Sequence, residues 1–199
     1  EIIKLLTPAF RNIRNNPGYI KDYIVGTREN GGQYTHAALW YIMALIKLKK
    51  AELAYNHYQM INPINRTQTE EGVNLYKTEP YVIAADIYSH PIHLGRGGWT
   101  WYTGSAGWAY KVGLEEIIGF KKEGDFLTID PHINPEWKNF TINYKYLSTD
   151  YVITVINENQ VSSGVIEVTL DSKEIKDNKI KLVDDGKTHE VIVRMGEEK

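Results

Sequence analysis

The sequence predicts an α+β protein in which a helical N-terminal part, residues 1–119, precedes an antiparallel β-sandwich, residues 120–199. Two observations carry that prediction. Up to Gly119 the apolar residues recur mostly at the three- and four-residue spacing of helices, whereas beyond it they alternate with polar residues at the period of strands. In the second part, turn chemistry such as Glu123-Gly-Asp125 and Asp184-Asp-Gly-Lys187 separates the alternating segments at the close spacing of antiparallel pairs. A chain of 199 residues that is 42% hydrophobic can bury a real core, as one large domain or two small ones.

Each element has its own signal. Ile2-Ile-Lys-Leu-Leu6 opens a first short helix that Asn15-Asn-Pro-Gly18 ends near Arg14, and a loop carrying Gly26 and Gly31-Gly32 follows. From His36 to Lys49 the residues are apolar almost all the way round, which predicts a helix buried on most sides. The segment Ala51 to Ile61 keeps a polar face and stops at Asn62-Pro63, as an outer partner would. Pro80 stands where the first turn of a third helix would begin, running to about Tyr88, and Ala106 to Ile118 reads as a fourth. Helices that alternate between all-apolar and amphipathic, joined by long polar loops, predict two concentric helical layers. Strands are predicted over 126–130, 140–146, 151–156, 165–170, 180–183 and 190–194.

Composition removes several function classes. The net charge is −2 and the Lys and Arg residues are scattered, so no electrostatic footprint for nucleic acid exists. The absence of cysteine excludes disulfides and thiolate metal sites and fits a reducing compartment. The longest apolar run, Ala37 to Ile46, is too short to span a bilayer and no secretory leader opens the chain, which makes the cytoplasm the default location. The chain enters a helical pattern directly at Glu1, without an initiator methionine, and so reads as a piece of something longer.

Two segments concentrate chemistry. Trp99-Thr-Trp-Tyr-Thr-Gly-Ser-Ala-Gly-Trp108 gathers three tryptophans and a tyrosine before a turn rich in free backbone N–H groups. Such aromatic faces suit a sugar ring and such a turn suits an oxyanion; an aromatic core seam closed by a tight turn is the plainer alternative. Arg28-Glu-Asn-Gly-Gly-Gln-Tyr-Thr-His-Ala37 delivers Thr35 and His36 to the start of the apolar helix, where backbone donors, helix dipole and imidazole favour an anion. Taken alone, Thr35 as an N-cap and His36 as a satisfied first-turn histidine explain it as well. His90-Pro-Ile-His93 has no third ligand nearby and Pro91 forbids a regular helix, so no metal site is expected. Gly95-Arg-Gly-Gly98 lacks the strand and helix that give a phosphate loop its meaning. No carboxylate stands out as a proton donor: Asp86 and Glu115 could be solvated or ion-paired, and Glu29, beside the glycine loop, could bind a sugar hydroxyl.

The segment 28–37, Glu79-Pro-Tyr-Val-Ile-Ala-Ala-Asp86 and Gly95-Arg-Gly-Gly-Trp-Thr-Trp-Tyr-Thr-Gly-Ser-Ala-Gly-Trp108 resemble the family-94 glycoside hydrolases, the inverting disaccharide and oligosaccharide phosphorylases. The resemblance runs nearly end to end, and the region from Leu114 through Lys187 looks most like the C-terminal part of cyclic β-1,2-glucan synthases, with β-1,2-oligoglucan phosphorylases as the near alternative. It implies the C-terminal portion of an (α/α)6 barrel over residues 1–119 and a small β-sandwich over 120–199. Phosphate contacts would fall on His36, Thr103 and Gly104, and sugar contacts on Glu29, Gln33 and Tyr19. The family's general acid is an aspartate on an earlier barrel helix, which this chain does not contain; the chain alone is therefore expected to be inactive. The implied partners are a β-glucan oligosaccharide and inorganic phosphate as co-substrate, with no cofactor. An incomplete barrel would expose inner helices, so the rest of the barrel or self-association is expected to cover them, and the full-length protein has room for membrane association. Two other readings remain at this point: a non-catalytic carbohydrate-binding or structural module, and a glucoamylase-like hydrolase, which would need a facing pair of carboxylates.

Overall fold

The computed structural model describes residues 1–11, 14, 16–101 and 103–197, Thr103 by its backbone alone. The protein is α+β and divides into two compact units, one of residues 1–48 with 56–112, the other of residues 49–55 with 113–199.

In the first unit, strand β1 (Gln33–Tyr34) leads directly into helix α1 (Thr35–Lys47). Helix α2 (Ala51–Ile61) follows with the bounds its periodicity predicts. Two short helices come next, α3 (Pro63–Arg66), whose cap Asn62 accepts the Ile64 N–H, and α4 (Glu70–Tyr76), whose cap Thr69 accepts the Gly72 N–H. Strand β2 (Asp86–Ile87) pairs antiparallel with β1, and helix α5 (Thr103–Lys111) passes into a π-helical stretch, Val112–Ile117.

Two predicted helices are not formed. The segment 2–11 lies along the glycine loop: Leu5 donates to the Gly32 carbonyl at 2.8 Å, its own carbonyl accepts the Gly31 N–H at 3.0 Å, and Ile3 donates to Gln33 Oε1 at 3.0 Å. Backbone groups spent on those partners cannot close helical turns. The segment after Pro80 is extended for the same reason, since Ala85 donates to the Trp99 carbonyl at 2.6 Å and accepts from Thr35 at 2.9 Å, and the Asp86 carbonyl accepts from Gly98 at 2.8 Å. Helix α1 is less enclosed than its composition predicts. Leu39 and Ile42 are fully buried, but Trp40 is 53% exposed, Tyr41 40% and Leu48 70%.

The second unit holds two sheets. Strands β3 (Phe120–Glu123) and β4 (Phe126–Ile129) form a hairpin. Strands β5 (Asn139–Tyr146), β6 (Thr149–Ile156), β7 (Val165–Leu170) and β8 (Lys173–Glu174) belong to a second sheet. Strand β9 (Ile180–Lys181) joins β4, and β10 (Thr188–Met195) enters the larger sheet, whose order is β5-β6-β10-β7-β8. All pairs are antiparallel except β6 with β10, so the sheet is mixed where the turn spacing predicts an antiparallel one. The long connection from β7 to β10 makes that parallel pairing possible. Inward residues of both sheets, among them Leu127, Ile129 and Ile180 from one and Tyr151, Ile153, Val155, Val191 and Val193 from the other, pool into one core. Gly119 enters this unit at φ +79°, and a Cβ there would overlap the Asp130 backbone that donates back to it at 2.9 Å.

Candidate functional site

The residues singled out by the sequence fall into three places within the first unit. The first is the junction of α1 and α5. His36, in the first turn of α1, stands edge-on to Trp40 with ring centroids 4.8 Å apart, and both approach Trp108 of α5, at 5.9 and 5.7 Å. Thr35 is 1% exposed and Ser105, in the first turn of α5, is 0% exposed. The Thr35 hydroxyl, His36 Nε2 and the Ser105 hydroxyl are buried without a hydrogen-bond partner. Thr35 is not the helix cap: that position is Tyr34, which makes no side-chain cap bond, and the Thr35 N–H goes to Ala85. Gly104 is exposed on the first turn of α5. The Thr103 side chain, like the whole of Tyr102, lies outside the described residues.

The second place is the loop before β1. Tyr19 is 62% exposed and its hydroxyl donates to Glu29 Oε1 at 3.3 Å. The Glu29 charge holds that hydroxyl above its ordinary value, so it remains a donor. Arg28 Nε lies 3.6 Å from Glu29 Oε2, both side chains being mostly buried. The Arg28 guanidinium stacks over the Trp99 ring at 4.6 Å and lies 5.2 Å from the Tyr23 ring and 6.0 Å from that of Tyr34. Burial works against its charge, but Tyr23, Glu29, Asp86 and Tyr34 together outweigh burial and raise its pKa. Trp99 keeps 63% of its surface exposed above this stack.

Asp86 sits beneath, 3% exposed, and its Oδ2 accepts the Arg28 backbone N–H at 3.1 Å. Desolvation raises its pKa; the Arg28 N–H, the Arg28 charge and the Trp99 backbone N–H oppose the rise, and Glu29 adds to it. Sequence reasoning left Asp86 as an ordinary solvated or paired carboxylate. Its signal is that it closes the run Val82-Ile-Ala-Ala85, where a charge is unexpected unless something buries and pairs it.

The third place is Gln33, which is fully buried with its oxygen taken by Ile3 and its Nε2 unpartnered. The structure thus joins Tyr19, Glu29, Arg28, Asp86 and Trp99 in one cluster and His36 with Trp40 and Trp108 in another, while Gln33 faces the N-terminal segment. Among the described residues no group of three or more metal-ligating side chains gathers, and no helix is long and apolar enough to cross a membrane.

Cyclic β-(1,2)-glucan synthase NdvB of Rhizobium meliloti (strain 1021) is 43% identical over 168 residues, which cover 84% of this chain and 6% of that protein. N,N′-diacetylchitobiose phosphorylase of Vibrio furnissii is 29% identical over 175 residues, 87% of this chain and 21% of the relative. The 1,2-β-oligoglucan phosphorylase of Listeria innocua serovar 6a is 27% identical over 155 residues, 65% of this chain and 14% of the relative. The chain therefore spans less than a quarter of the length of each of these three relatives. Residues 2–119 match the profile of the glycosyl hydrolase 94 superfamily catalytic domain, and the chain belongs to that carbohydrate-active family.

Proposed function

We propose that this chain is part of an enzyme that phosphorolyses β-glucosidic bonds of a β-1,2-linked glucan, with inversion, releasing α-glucose 1-phosphate. The observation that carries this reading is the set of buried, unpartnered polar atoms where α1 and α5 begin: Thr35 Oγ1, His36 Nε2 and Ser105 Oγ. Buried polar groups are almost always paired, and hydroxyls with an imidazole beside helix starts suit the oxygens of an inorganic phosphate. The names of two relatives, a β-1,2-glucan synthase and a 1,2-β-oligoglucan phosphorylase, support the linkage.

In the mechanism, an aspartic acid outside these residues protonates the leaving glycosidic oxygen as the bond from that oxygen to the anomeric carbon breaks. A phosphate oxygen attacks the same carbon from the opposite face and takes the place of a base-activated water. His36, Thr103 and the Gly104 N–H hold the phosphate in line, each fixed donor contributing on the order of 3 kcal/mol to the transition state. Glu29 and Tyr19 orient the sugar, whereas Gln33, expected among the sugar contacts, is buried and holds the N-terminal segment through Ile3 instead. The helical part takes its place in an (α/α)6 barrel followed by a β-sandwich. The rest of that barrel, or a second copy, covers Trp40, Tyr41 and Leu48, and the chain by itself is inactive.

The test is phosphorolysis of β-1,2-gluco-oligosaccharides by the full-length protein, with the released sugar phosphate followed by proton NMR. The α-anomer of glucose 1-phosphate is expected, only when phosphate is present, and His36→Ala is expected to lower the rate about 100- to 1,000-fold. Free glucose released without phosphate would make the protein a hydrolase. Glucan binding without turnover would make it a binding module.

A further inference from the structure

Asp86 occupies a position that neither the phosphate contacts nor the sugar contacts account for. It is 3% exposed, and it lies where three segments converge. Strand pairing sets it opposite Tyr34, immediately before α1. Its carboxylate accepts the N–H of Arg28, the residue before Glu29, at 3.1 Å. Its backbone carbonyl accepts the N–H of Gly98, the residue before Trp99, at 2.8 Å, and the Trp99 N–H also favours its ionised form. Gly98 is packed so closely on it that a Cβ at 98 would overlap Oδ1. Arg28 is itself in the left-handed region, φ 46°, a conformation that non-glycine residues hold only when their surroundings over-determine it. The Asp86 carboxylate supplies that determination, since its acceptor meets the N–H of the strained residue.

We propose that Asp86 is a positioning residue for the glucan: through its carboxylate on the Arg28 N–H and its backbone carbonyl on the Gly98 N–H it ties the Arg28-Glu29 turn to the Gly98-Trp99 segment and so fixes the separation between Glu29 and the Trp99 ring. This rests on the reading that Glu29 contacts a sugar. A pyranose between them needs a carboxylate for its hydroxyls and an aromatic face for its C–H bonds, held at one distance. The charged pair Arg28 and Glu29 then acts from a fixed frame, with the Arg28 guanidinium covering one part of Trp99 and leaving the remainder to the ligand. A carboxylate is specifically required because it presents two acceptors. Asparagine presents one acceptor and one donor group, and the donor would face a second N–H.

The experiment uses the full-length protein and reads binding without turnover: calorimetric titration with a β-1,2-gluco-oligosaccharide and, separately, with inorganic phosphate. Asp86→Asn is expected to weaken glucan binding about 10-fold or more while phosphate affinity stays within about twofold, even though the stranded N–H lowers the melting temperature. Gly98→Ala disturbs the same contact from the half-buried loop and is expected to give the same selective loss, and the double variant is expected to lose no more than the larger single loss. Should Asp86→Asn fail to fold, Gly98→Ala carries the test alone. Equal glucan affinity in the variants and the unaltered protein would overturn the role of Asp86 and leave the proposed function standing. A parallel fall of phosphate affinity and glucan affinity would also overturn it, by showing a structural role only. No glucan binding by the unaltered protein would remove the sugar site and, with it, this inference.

Discussion

The Tyr151 hydroxyl is held from two directions: it accepts the Val183 N–H at 2.8 Å and lies 3.3 Å from the Val183 carbonyl, to which it donates. The ring is 1% exposed. Tyr151→Phe keeps the ring and removes both bonds to Val183, whose N–H can still reach water, so equilibrium denaturation is expected to show a loss of about 1 kcal/mol. At this scale the sequence is informative where a residue type is unusual for its setting. His36 and Glu29 announce themselves beside a glycine loop, and the structure gives His36 a buried nitrogen without a partner and Glu29 a tyrosine and an arginine. The importance of Asp86 is not legible in the same way, because its acceptors answer to N–H groups 58 and 13 residues away, which no local pattern records.

Elements were legible where local pattern and tertiary demand coincide. Strand β6 alternates buried and half-exposed residues as its sequence does, and β10 does the same around Val191 and Val193. Ile153, 0% exposed in β6, is expected to cost about 2–5 kcal/mol on truncation to Ala, against about 0.5 kcal/mol or less for Ile166→Ala, whose side chain is half exposed in β7; denaturant midpoints compare the two. Helix α4 escaped the apolar-period reading because its seven residues expose Val73 and Leu75 and bury only Tyr76. Its signal was at its start, where Thr69 precedes Glu70 and Glu71. Thr69→Ala is expected to remove about 1 kcal/mol from that helix, seen as faster amide exchange over 70–76 with the rest of the protein unchanged. Strands β3 and β8 carried too few apolar residues to show a period, and the helices expected over the described residues 2–11 and over 80–88 lost to long-range backbone bonds that outbid local preference.

Across the molecule, the α+β class followed from the change of period, because that change is spread over many residues and survives local errors. The pH response of the second unit was not legible, since it depends on β10 meeting Asp171, 18 residues away, as well as Asp185 in the turn just before it. His189 Nδ1 lies 2.6 Å from Asp171 and Nε2 lies 3.3 Å from Asp185. The bond to Asp171 raises the His189 pKa from its ordinary 6.5 against the opposing effect of burial. The bond from His189 lowers Asp171, and the Lys187 N–H leads in lowering Asp185, both from 3.8. A raised histidine contributes stability that is full below pH 6.5 and fades as pH rises through its folded value. Depressed aspartates contribute stability that is full above pH 3.8 and fades as pH falls through theirs. The melting temperature of the unaltered protein should therefore exceed that of His189→Gln most between about pH 4 and 6.5, and the gap should close on either side.

Strand β10 follows the other strands of its sheet in sequence and sits in the middle. It pairs with β6 on one side and β7 on the other, and β6 and β7 have no direct pairing of their own. During synthesis the hairpins β5-β6 and β7-β8 can each form as soon as they emerge, but they remain two separate ribbons with open edges until Thr188–Met195 arrives between them. The two ribbons thus become one sheet only once β10 is in place.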